Sequence, residues 1–238
     1  MFVKKKLFVN SQMKKLNLIP SAVLMIAIMV TSCGVNKKNK STTTKNEVSL
    51  TREVTIGKQV WMVQNLDVDK FRDGSPIPQA KTEEEWIDAG KNNKPAWRYY
   101  NNDSVNGKKY GKLYNWYAVT NPSGLAPEGF HVPNDQDWMD LILSLGWYSK
   151  AGEAIKGKIG WEINNNGTNS TGFNALPGGF CDSSGKFSKA GSDAYWWSTS
   201  EWSSVDFYFT LYELATNGLV LLMPENKNVG LSVRCIKD

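Results

Sequence analysis

All ten tryptophans of this chain lie in its last 188 residues, Thr51 to Asp238, with all nine tyrosines and seven of the nine phenylalanines. Rings of that size bury a large area per residue, so a core can be assembled from few positions without long aliphatic stripes. Gly and Asn punctuate the segment throughout. The fold open to such a chain has short elements, many turns and a ring-filled interior. Its length suits one domain with a real core. No internal period of about 20 to 50 residues is present, which argues against a solenoid or a propeller.

The residues before this segment read differently. Lys4, Lys5, Lys6, Lys14 and Lys15 form a basic region, and Ile19 to Val30 supply an apolar run of signal-peptide length. The run is short for a membrane span, which needs about 20 apolar residues. Val30-Thr31-Ser32-Cys33 resembles the lipobox of bacterial lipoproteins. That resemblance implies cleavage before Cys33 and diacylation of its thiol, and two or more acyl chains anchor a protein stably. The expected organisation is a signal peptide over 1–32, a lipidated Cys33 with a flexible polar tether over 33–50, and one domain over 51–238. An uncleaved N-terminal anchor and a secreted soluble protein are the alternatives.

Cleavage also changes the charge. The whole chain carries 28 Lys plus Arg against 23 Asp plus Glu, but five lysines precede Cys33 and four more, Lys37, Lys38, Lys40 and Lys45, sit in the tether. From Thr51 onward 19 basic residues face 22 acidic ones, which removes the electrostatic case for nucleic acid.

A few elements can be placed. Thr82 with Glu85 fits a capping box, which predicts a helix over Glu83 to Ala89 ended by Gly90. Asn134 can cap a second helix, in which Trp138, Leu141, Ile142 and Leu145 recur at helical spacing before Gly146. A third is expected over Ala151 to Lys156. Strand-like runs are Glu53 to Ile56, Val60 to Val63, Trp97 to Tyr100, Tyr195 to Ser198, Phe207 to Tyr212, Leu219 to Met223 and Leu231 to Ile236. The class is α+β with irregular connections.

Six segments occur in a telling order: Ile56-Gly-Lys-Gln-Val-Trp-Met-Val-Gln-Asn-Leu66, Tyr110-Gly-Lys-Leu-Tyr-Asn-Trp-Tyr-Ala118, Gly129-Phe-His-Val-Pro-Asn-Asp-Gln-Asp-Trp138, Ala175-Leu-Pro-Gly-Gly-Phe180, Tyr195-Trp-Trp-Ser-Thr-Ser200 and Gly230-Leu-Ser-Val-Arg-Cys235. Together they resemble the Fibrobacter succinogenes major paralogous domain, a family of bacterial envelope proteins abundant in Bacteroidetes and Fibrobacteres and without an established activity. The motifs are also distantly similar to the formylglycine-generating enzyme and C-type-lectin-like folds. That likeness implies a loop-rich single domain with short helices and a twisted, mostly antiparallel sheet.

Many relatives carry Cys-Pro before the Gly129 segment, where this chain has Ala126, so the partner that the resemblance implies for Cys235 is missing. With Cys33 lipidated, Cys181 and Cys235 remain as an even pair outside the cytoplasm. Either they form a disulfide or they stay as two buried thiols.

The search for chemistry is mostly negative. One histidine, His131, excludes sites that need two imidazoles, and no serine-nucleophile elbow, phosphate loop or dinucleotide fingerprint is present. The reactive cysteine pair of the formylglycine-generating enzyme has no counterpart either. The acids at Glu83 to Glu85 and at Asp135, Asp137 and Asp140 are accounted for by helix N-terminal charge. No catalytic residue, metal site or cofactor is therefore expected.

Binding is the activity that composition supports. Trp196, Trp197 and Trp202, with nearby hydroxyls and Asp206, combine flat faces with polar groups suited to a sugar. Neighbouring residues of a strand face opposite sides, so Trp196 and Trp197 cannot share one core face. Pro224 to Asn228 reads as a turn. The expected protein is a lipid-anchored, non-enzymatic cell-envelope lipoprotein, held at a membrane and presenting a surface to a polysaccharide or an envelope protein. The outer membrane is the expected address; the periplasmic and surface-exposed faces both stay open, and the basic tether at Lys37, Lys38 and Lys40 favours the periplasmic side. The alternatives are an assembly lipoprotein without a small-molecule site, and a carbohydrate-active or other enzyme.

Overall fold

Short strands and helices alternate along the computed structural model, which describes residues 52–162, 165–201, 207–213 and 220–238. Strands β1 (Glu53–Ile56) and β2 (Gln59–Met62) make an antiparallel hairpin about Gly57, whose φ of 61° suits a residue without Cβ. Helix α1 (Glu83–Lys91) follows, then β3 (Trp97–Arg98), α2 (Ser104–Tyr110), β4 (Leu113–Tyr114) and α3 (Trp116–Val119). After β5 (Phe130–His131) come α4 (Asp135–Ser144) and α5 (Tyr148–Ile155). The rest is strand: β6 (Gly178–Cys181), β7 (Phe187–Ala190), β8 (Ala194–Glu201), β9 (Phe207–Glu213), β10 (Val220–Asn226) and β11 (Ile236–Lys237).

The strands form a four-stranded sheet β1-β2-β11-β5, a five-stranded sheet β10-β9-β8-β6-β7 and a β3-β4 ribbon. All named pairs are antiparallel except β6 with β8. This is a loop-rich α+β domain with several small sheets, and the described residues form no barrel.

The predicted capping box at Thr82 and the predicted cap at Asn134 are present, the second also as a full box. Thr82 Oγ1 accepts from the Glu85 amide at 3.2 Å while Glu85 Oε2 accepts from the Thr82 amide at 3.3 Å, and Asn134 trades the same bonds with Asp137. Two predicted ends move. Gly90 lies inside α1, and the helix stops at Asn92. A Cβ on Gly90 would sit 2.8 Å from Asn228 Cγ, so the glycine serves a close approach between helix and loop. Pro224 to Asn226 belong to β10, and the turn falls on the two residues after them.

Rings fill the interior as expected. Trp61, Trp86, Trp138, Trp196 and Trp197 are completely buried. Trp61 meets Trp138 at 4.7 Å between ring centroids and Phe173 at 5.7 Å. The core divides into one cluster around Tyr114, Trp116 and Trp197, a second around Trp61, Trp138 and Trp196, and a third around Trp86, Leu113 and Cys181.

Candidate functional site

The two expected sugar-stacking tryptophans of β8 are core residues. Trp196 and Trp197 are both fully buried, and their indole N–H groups are spent on Asn65 Oδ1 at 2.8 Å and the Tyr114 carbonyl at 2.7 Å. Alternation along the strand does send them to opposite faces, but each face is covered, one by α4 and Phe173, the other by α3. Neither ring can reach a ligand from solvent, which corrects that assignment. Trp202, Asp206 and Cys33 lie outside the described residues.

The cysteines take the thiol alternative. Cys181 and Cys235 are both free and buried, and they occupy different clusters, so no bridge joins them. Cys181 Sγ accepts a long hydrogen bond from Arg98 Nη1 at 3.6 Å. Burial pushes each thiol up to about 12, against the pull of Arg98 on Cys181 and of Arg234 on Cys235. A thiol held so far from its thiolate is a poor nucleophile and a poor ligand.

Several buried cations that sequence patterning does not reveal prove to be framework. Arg234 reaches Asn65 Oδ1 with Nε and Nη2, and the Met62 and Phe173 carbonyls with Nη1. Burial pushes its guanidinium down to about 9, so at neutral pH it stays charged. Lys112, almost completely buried, bonds Asp67 at 2.5 Å and lies over the rings of Trp97 and Tyr99. His131 of β5, itself partly exposed, faces Asp238 at 2.8 Å and Asp137 at 3.3 Å, tying the residue after β11 to α4. Among the described residues, no cluster of His, Cys, Asp or Glu is arranged to hold a metal ion, and no helix is long and apolar enough to cross a membrane.

A concave site lies elsewhere among the described residues. A groove of about 580 Å³ runs between α1 and the paired segments Pro78–Ala80 and Lys94–Ala96. Those segments are fixed to each other through Trp97, whose amide donates to the Pro78 carbonyl while its carbonyl accepts from the Ala80 amide. Prolines and alanines make an apolar wall, and Glu84, Glu85 and Asp88 of α1 make the opposite rim. Glu85 is committed to its capping box. Glu84 is held below the usual carboxylate range by hydrogen bonds from its own amide and from Thr82. Asp88 accepts from Asn92 and stands 4.0 Å from Lys94 Nζ. No aromatic ring lines the groove. The signal for it was present in sequence as the first-turn acids of α1, which helix-end electrostatics alone had accounted for.

Residues 54–237 match the model of the Fibrobacter succinogenes major domain. The chain belongs to this family. None of the curated proteins and none of the solved structures matches it. The family motifs of this major domain supply its scaffold: Trp61 and Asn65, Tyr114 and Asn115, Trp138, Trp196 and Trp197, and Arg234 are core rings or the polar groups that tie them. The groove falls between the first motif and the second, in a stretch that belongs to neither.

Proposed function

We propose that this major-domain protein is a lipid-anchored lipoprotein of the cell envelope, non-catalytic, whose domain binds a protein partner through the groove beside α1. The observation that carries the reading is how the rings are spent. Trp196 and Trp197, two of the three tryptophans suited to sugar stacking, are consumed in the core, while the groove offers an apolar wall, a carboxylate rim and no ring. Short polypeptide segments suit such a surface better than glycans do. The basic region, apolar run and lipobox-like cysteine support the anchor, and tethering favours partners within reach of the membrane.

Two measurements test this. Labelling cells with a fatty-acid analogue should mark the protein, and Cys33→Ser should abolish the label; retained label on the variant sinks the anchor. A photo-reactive residue at Gln79 should yield one discrete covalent adduct with an envelope protein in intact cells. Smearing or no adduct argues against a groove partner. Trp147 favours a second reading, glycan binding, because its ring is half exposed and its backbone is held at φ 80°. Loss of glycan binding in Trp147→Ala would support that reading over the first.

A further inference from the structure

We infer that the groove accepts an extended, lysine- or arginine-bearing segment of its protein partner, with a cationic side chain seated against Glu84 and Asp88. This rests on the reading of the groove as a protein-binding site and adds the chemistry of the occupant. Glu84 and Asp88 are one helical turn apart on the same face of α1, a rise of about 6 Å, so one ammonium or guanidinium can face both carboxylates. Glu85, between them in sequence, is occupied at the helix cap.

The groove's own cation does not compete strongly. Lys94 stands 4.0 Å from Asp88, with both side chains about two-thirds exposed, and such a pair is worth little and is displaced at small cost. Opposite the carboxylates, Pro78 and Pro95 present rigid apolar surface without side-chain donors. An extended segment directs successive side chains to opposite sides. One set of side chains can then carry charge to α1 while the other lies on the prolines. Three carboxylates against one ammonium repel anionic ligands, which supplies the discrimination.

The test uses the full chain in detergent and three fluorescent, end-capped hexapeptides in which alanine alternates with lysine, serine or glutamate. The lysine peptide should bind, and raising the salt from low to high concentration should weaken it by about fivefold or more. Glu84→Gln combined with Asp88→Asn should weaken it about tenfold and lower the unfolding midpoint only slightly, since both side chains are exposed and the loss is confined to helix-end charge. A serine or glutamate peptide that binds as tightly, or a salt-independent lysine peptide, overturns the cationic occupant and leaves the groove reading standing. So does an adduct from Gln79 whose cross-linked segment carries neither Lys nor Arg. No binding by any peptide, together with no adduct from Gln79, removes both.

Discussion

Trp196 and Trp197 are neighbours in β8 that end in different hydrophobic clusters. Trp196 packs near Trp138 at 6.2 Å and edge-on to Phe173 at 6.0 Å, and Trp197 meets Trp116 edge-on at 5.3 Å. One strand thus joins two parts of the interior through consecutive side chains. Replacing either ring by alanine removes a fully buried indole and one buried hydrogen bond, so each should cost about 3 to 5 kcal/mol. Urea unfolding of Trp196→Ala and Trp197→Ala measures this. A loss below about 1 kcal/mol for either would mean that the ring is not buried as described.

The helix starts were legible in the sequence because a cap is a local device. Thr82 with Glu85 and Asn134 with Asp137 need only a few consecutive residues to declare themselves. The stop at Gly90 was misplaced because that glycine answers to Asn228, far along the chain. The strand expected over Leu231 to Ile236 is reduced to Ile236–Lys237 for a similar reason: Leu231 and Ser232 bridge to Tyr114 and Trp196, in other parts of the fold. The density of rings implies a core and leaves open which of them enter it. A buried pair and an exposed sugar platform share the same composition, and only the cover supplied by α3, α4 and Phe173 distinguishes them. The acids on the groove's rim were legible in the sequence, but the groove itself was not, because it depends on Trp97 holding two proline segments beside α1.

Alkaline pH should destabilise the domain through its thiols. Cys181 and Cys235 rise from the usual 9.0 to about 12 on burial, so between those values the unfolded chain releases protons that the native state keeps. Their stabilisation is complete below pH 9 and is lost as pH climbs to about 12, by up to about 4 kcal/mol per thiol. Arg234, pushed down to about 9, acts with the opposite sign in the same window. The thiol share is therefore read as a difference: a Cys181→Ala, Cys235→Ala double variant should lose less stability than the parent between pH 8 and 11. Parallel stability curves would contradict the burial of the thiols.

Three glycines separate backbone strain from crowding. A Cβ on Gly179 would lie 2.4 Å from the Ser188 carbonyl oxygen, at a φ of 64°, between paired strands that cannot both shift. Gly179→Ala should cost more than about 3 kcal/mol. In Gly107→Ala the obstacle, 2.3 Å away, is the Tyr99 ring, which can give way, and about 1 to 3 kcal/mol is expected. Gly146 has a φ of 85° but only the end of Lys150 nearby, so its alanine variant should lose about 1 kcal/mol from strain alone. Thermal unfolding of the three variants should preserve that order.

Cys235 and Ala126 lie in the same hydrophobic cluster, and Arg72 touches both environments: its guanidinium donates to the Ala126 carbonyl at 3.0 Å and draws the Cys235 thiol downward in pKa against the larger effect of burial. Ala126→Cys puts a second thiol into the cluster that holds Cys235, and a bridge to Cys235 is the expected outcome. The closed loop would span about 110 residues and contribute about 2 to 4 kcal/mol if the geometry is unstrained. Thiol counting under denaturing conditions, with a faster non-reducing gel band, detects the bond, and a reduced control separates its effect from the added sulfur. Ala126→Ser should show neither change. If Ala126→Cys instead pairs with Cys181, the division of the two cysteines between separate clusters is wrong, and with it the explanation of why this chain keeps them as thiols.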